Sequence, residues 1–183
     1  MRLYQDMPEL TVAEAERLWL TPREVCILAA VGDPDRDRSI KRMLNTLSDR
    51  GHVPFVKTGP SKTHPRHYSL VSAAMLRVFA EMVETGRTYV YAQPVADEVA
   101  KLLKAAVEQV SDMGDLETRL MPWRLLYGEM TADGTPRVCK PVKGDLPIDE
   151  LAPLDAGVFA AGYVVWRTIE SYADFWLSRG GSR

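Results

Sequence analysis

Cysteine is nearly absent. Cys26 and Cys139 are the only two in a chain of 183 residues. A disulfide framework is not expected, because a chain of this length buries enough surface to fold without one. Cys26 falls in an apolar helical run and reads as a small core residue. Long apolar runs are missing as well. Nothing approaches the roughly 20 residues that a membrane-spanning helix needs, and no signal-peptide hydrophobic region stands at the N-terminus. The expectation is a soluble cytoplasmic protein with no membrane partner. Internal repeats and low-complexity tracts are also lacking.

The residues that carry most catalysis are thinly spread. There is no Gly-rich phosphate loop, no nucleophile with a partner histidine, no nucleophile elbow around Ser61, Ser69 or Ser72, and no catalytic carboxylate pair. Gly180-Gly181 belongs to a terminal tail, and His67 near Ser69 reflects loop composition. Only three histidines occur. His64 and His67 have a ligand-like spacing, but Pro65 between them disfavours a helical pair, and only His52 is near as a third ligand. Asp33, Asp35 and Asp37 alternate like a calcium loop without its Gly and Glu positions, so they read as turn and helix-start residues. Neither an enzyme nor a metal or other cofactor is expected.

What the chain does have is an uneven distribution of charge. It is 46% hydrophobic, enough for a real core, and its net charge is −2. Yet residues 36–68 hold eight Lys or Arg against two acids, a net of +6, together with all three histidines. An acidic body therefore carries one basic stretch. Such a stretch suits a phosphate backbone, because neutralising phosphates releases condensed counterions.

The periodicity places this stretch on a helix and a loop. Thr11 with Glu14, and Thr21-Pro22 with Glu24, are two helix starts; the first predicts a helix to about Trp19, the second a run ending near Gly32. After a turn at Asp33-Pro34-Asp35, a helix over about 36–50 has Ile40, Met43, Leu44 and Leu47 as one apolar stripe, closed by Gly51. Arg36, Arg38, Ser39, Lys41, Arg42 and Asn45 are left for base or phosphate contact. A strand over 52–56, a Gly/Pro-punctuated loop and a returning strand over 66–70 follow. Lys57, Thr58, Ser61, Lys62, Thr63, His64 and Arg66 are the candidates there for phosphate or minor-groove contact. Tyr68 either bonds a phosphate or packs at the loop's base.

Ser69 or Ser72 opens the next helix, to Glu84 and Gly86. Residues 88–93 read as an extended piece before Pro94, and 95–113 as an apolar-striped helix. Further on, 123–130 and 137–142 read as a β-hairpin, and Asp155 as the cap of a last helix to about Leu177, with a strand over 158–166 as the alternative. Trp123, Trp166 and Trp176 with Tyr127, Tyr163 and Tyr172 concentrate aromatics in this third, as core by default or as a ligand or protein groove.

The order helix, turn, cationic helix, Arg50-Gly51-His52-Val53-Pro54, basic loop, Arg66-His67-Tyr68-Ser69, then a helix to Glu84-Thr85-Gly86 resembles the DNA-binding domain of the MerR (mercury-resistance regulator) type. The likeness covers about residues 21–87. The turn over 32–38 is longer and more charged than in that family, and Met43 and Leu44 stand where its tyrosine pair would fall. A MarR-type winged helix fits the same stretch, through Leu47-Ser48-Asp49-Arg50-Gly51-His52-Val53 before the basic loop. Either resemblance implies a mainly α fold with a small β wing. It implies a winged helix-turn-helix over 11–87, followed by a helical or α+β region over 95–183 that dimerises or receives a small-molecule or protein effector. It also implies a homodimeric transcriptional regulator on double-stranded DNA. The alternative function is a protein-interaction module on the same scaffold, binding through its aromatic C-terminal third.

Overall fold

The computed structural model describes residues 10–30, 34–61, 63–109, 113–130, 136–144 and 157–179. These form a mainly helical molecule with small antiparallel sheets. Its centre is a helix outside the basic stretch, α4 (Leu70–Glu84). Every residue from Leu70 to Ala80 is buried. A helix that is apolar nearly all round has to be enclosed. Here the enclosing helices are α1 (Val12–Glu16), α2 (Pro22–Ala30), α3 (Pro34–Asp49), α5 (Tyr89–Gln109) and α7 (Ala161–Ser178). A single hydrophobic cluster runs from Ala15 to Tyr172, so the segments 11–87 and 95–183 share one core.

Local chemistry sets the helix ends. The Thr11 hydroxyl accepts from the Glu14 N–H at 3.2 Å. Thr21 and Glu24 form a reciprocal box: the Thr21 N–H donates to the Glu24 carboxylate at 2.7 Å, and the Glu24 N–H to the Thr21 hydroxyl at 3.3 Å. Burial alone would raise the Glu24 pKa. The Thr21 hydrogen bonds and the nearby Arg179 guanidinium outweigh it and hold the carboxyl below its usual value. Ser69 and Ser72 make a second reciprocal box at the start of α4. Gly51 closes α3 at φ 76°, with its N–H on the Ser48 carbonyl and the His52 N–H on the Leu47 carbonyl. Gly86 closes α4 in the same way at φ 80°. A left-handed residue at this position suits glycine, which has no Cβ to clash.

α1 ends at Glu16, short of the expected Trp19, because the chain leaves to pair. The Trp19 and Leu20 N–H groups donate to the Tyr68 carbonyl at 3.0 and 2.9 Å, and the Tyr68 N–H to the Leu20 carbonyl at 2.8 Å. The basic loop is a hairpin of β1 (Val56–Lys57) and β2 (Arg66–His67), with Val56 opposite His67 and Lys57 opposite Arg66. The expected strand over 52–56 is thus mostly a turn, since His52 is drawn back to close α3. Leu20 lies across Tyr68, giving the spatial order β1, β2, Leu20.

The extended piece expected over 88–93 is corrected: it is the start of α5. The Thr88 carbonyl accepts from both Tyr91 and Ala92, Tyr89 stands edge-on to Phe79 at 6.0 Å, and Ala92 is fully buried. Packing on α4 overrides the β preference of these residues. Pro94 lies in the second turn and forgoes one intrahelical bond, to the carbonyl of Val90, whose side chain is exposed. α6 (Met113–Leu120) follows as a separate helix.

β3 (Trp123–Met130) pairs with β4 (Pro136–Lys143) as expected of the hairpin; its turn lies outside the described residues. β5 (Gly157–Phe159) adds to the other edge of β3, with Leu125 opposite Phe159. The last helix begins only at Ala161, so both expectations for this segment hold in part: strand to Phe159, helix beyond. Asp155, the expected cap, lies outside the described residues. Along the seam between α4 and α7, Arg77 is only 2% exposed. Its Nε donates to Glu81 at 2.8 Å and its guanidinium lies over Tyr163 at 5.5 Å.

Candidate nucleic-acid interface

The period of α3 divides it into two faces. Ile40, Met43, Leu44 and Leu47 are buried, as the stripe requires. Arg38, Ser39, Lys41, Arg42 and Asn45 are exposed on the remaining surface. Arg38, Ser39, Arg42 and Thr46 line an open depression of about 430 Å³. Its other wall is Val83 and Tyr89, at the corner between α4 and α5. Sequence inspection missed that wall, because the residues around Tyr89 looked like a strand. The signal was Gly86, which turns α4 sharply into α5. The side chain of Arg36 is outside the described residues.

The hairpin is fastened to the end of α3 by one buried contact and one partly exposed ion pair. Tyr68 is 0% exposed, and its hydroxyl lies 3.1 Å from the Ser48 Oγ. Arg66 donates to Asp49, the last residue of α3, at 2.5 Å, and its guanidinium lies 4.7 Å from the Phe55 ring centre. Burial works against the Arg66 charge, but Asp49 and Tyr68 outweigh it and raise its pKa. Tyr68 and Arg66 thus have partners within the protein. Of the two roles expected for Tyr68, the packed one is seen, since it is enclosed at the hairpin base. Arg66 is already neutralised by Asp49 and holds the hairpin to the helix.

At the tip, Thr58, Ser61 and Thr63 are exposed, and Lys57 is half-buried. Lys62 lies outside the described residues. His64 is half-buried and braces the turn: its Nδ1 accepts from the Ser61 N–H at 3.0 Å, and its ring fills the space beside Gly59. The Ser61 and Thr63 hydroxyls are 2.9 Å apart. His67 has its Nδ1 3.3 Å from the Trp19 carbonyl oxygen, and His52 has its Nδ1 2.5 Å from the Gln93 Oε1. The three histidines thus have separate structural partners. Among the described residues, no three His, Cys, Asp or Glu side chains are grouped closely enough to share a metal ion.

The arrangement presents exposed cations and short polar side chains on one helix, with a polar hairpin tip held at a set angle beside it. Exposed cations and short polar side chains are the groups that phosphate recognition uses. The aromatic C-terminal third is largely core: Trp166, Tyr172, Trp176 and Tyr127 are each at most 8% exposed. Among the described residues, no helix is long and apolar enough to cross a membrane. No family model matches the chain, and no curated protein matches it.

Proposed function

We propose that this protein is a sequence-specific DNA-binding transcriptional regulator of the winged helix-turn-helix type. In this proposal α2 and α3 are the helix-turn-helix, α3 enters the major groove, and the β1–β2 hairpin is the wing that follows the backbone. The observation that carries it is the exposed face of α3, with Arg38, Ser39, Lys41, Arg42 and Asn45 beside a hairpin braced to the same helix. Arginine and asparagine have the donor and acceptor geometry for guanine and adenine edges, respectively. The Leu20–Tyr68 bridge beside β2 supports the winged reading, in which the exposed Thr58, Ser61 and Thr63 at the hairpin tip would meet phosphates. The MerR-like order of elements adds a homodimer on a two-fold site. The region over 95–183 then dimerises or receives an effector.

The test is fluorescence anisotropy with a random-sequence duplex at roughly 50 and 200 mM salt, beside selection of bound genomic fragments. Steep salt dependence with enrichment of an inverted repeat is expected. Weak binding that ignores salt, with no enriched site, would reject the proposal and leave the protein-interaction module as the alternative.

A further inference from the structure

A second concavity lies away from the cationic face, between α5, α6 and the β3–β4 sheet. It is a partly open pocket of about 250 Å³. Its floor is apolar, with Leu102 from α5, Leu116 and Leu120 from α6, and Trp123 from β3. The side of α5 that faces it carries alanines, Ala105 and Ala106, and these small residues leave the space open. Arg119 and Lys143 also line it, and no acidic side chain among the described residues does. The Lys143 Nζ lies 6.0 Å from the Trp123 ring centre, so one cation sits beside the one aromatic wall. Trp123 and Lys143 are opposite one another across β3 and β4, a pairing that fixes their separation.

From this we infer a binding site for a small aromatic carboxylate. An apolar cavity of about 150 Å³ accepts benzene, so this one has room for a bicyclic ring or a phenyl ring with a short acid chain. The leucines take the ring, Trp123 stacks on it, and Lys143 meets the carboxylate. A neutral molecule of the same shape would fill the floor and forgo the charge contact. The site goes beyond DNA binding and does not depend on it.

Isothermal titration of the full chain with 2-naphthoate and with 2-naphthalenemethanol, with no duplex present, tests the site. The acid is expected to bind roughly tenfold more tightly than the alcohol, the scale of one partly exposed charge-assisted contact. Lys143→Gln, at an exposed position, should remove most of that preference and leave the alcohol's affinity alone. Ala105→Leu, which fills the cavity, should abolish binding of both, with an unchanged circular-dichroism spectrum showing that the variant is folded. Absence of binding to the wild-type chain, equal affinity for acid and alcohol, or a Lys143→Gln variant with full preference would overturn the inference. Because DNA is left out, failure here says nothing about α3, and failure of DNA binding says nothing about this cavity.

Discussion

Replacing Arg38 and Arg42 together by alanine separates DNA contact from structural duty. Both side chains are exposed, and neither has a hydrogen bond or ion pair among the described residues. Alanine is the better helix former, so the melting temperature should hold or rise slightly. If each arginine neutralises one phosphate, each contributes about 0.9 to the slope of log affinity against log salt. A protomer then loses about 1.8 of slope, and a two-fold dimer about 3.6. Between roughly 50 and 200 mM salt, wild-type binding should therefore fall about twelvefold more per protomer than that of the double variant. Arg66→Ala is the internal contrast. It loses the Asp49 pair and the stack on Phe55, a cost of about 1–2 kcal/mol in folding for a partly exposed pair and one cation–π contact. Because Arg66 is neutralised within the protein, its removal should leave the salt slope nearly intact. The assays are anisotropy over a salt series and urea unfolding. A double variant that keeps the wild-type slope would refute the assignment of α3; so would an Arg66→Ala variant that loses as much slope as the others.

Three further outcomes follow from the packing. Gly162→Ala would drive a methyl group into the Leu120 carbonyl oxygen where α7 meets the end of α6, and backbone cannot yield as a side chain does. A loss of about 3 kcal/mol or more is expected by urea unfolding, and a loss below about 1 kcal/mol would show that the seam is looser than described. Tyr68→Phe removes the partner of the buried Ser48 hydroxyl; about 1–2 kcal/mol of stability should go while the salt slope of duplex binding stays at its wild-type value. The folded pKa of Glu24 is depressed, so its contribution to stability is complete above the unfolded carboxyl's pKa and is lost as pH falls through the lower folded value. Thermal unfolding of Glu24→Gln should therefore be less sensitive to acid than that of the wild type, and parallel acid profiles would remove the linkage.

The pieces whose causes are local were legible from the residues alone. The Thr11, Thr21 and Ser69 starts, the Gly51 and Gly86 closures and the stripe of α3 each depend on residues within a turn or so of one another. The charge asymmetry that exposes Arg38, Lys41 and Arg42 on α3 was equally legible, since the buried stripe assigns the other faces to solvent. Whatever depends on distant partners came from long-range packing. Tyr68 and Arg66 resemble phosphate ligands by type, but Ser48 and Asp49 claim them from about twenty residues away. Residues 89–93 have strand chemistry and become helix because Phe79 and the rest of α4 give them a surface to pack on. The cavity beside Trp123 was invisible in the sequence, because its walls come from α5, α6 and a strand pair that meet only in the folded chain. Composition marked α3 as the cationic helix; long-range burial made α4 the centre of the molecule.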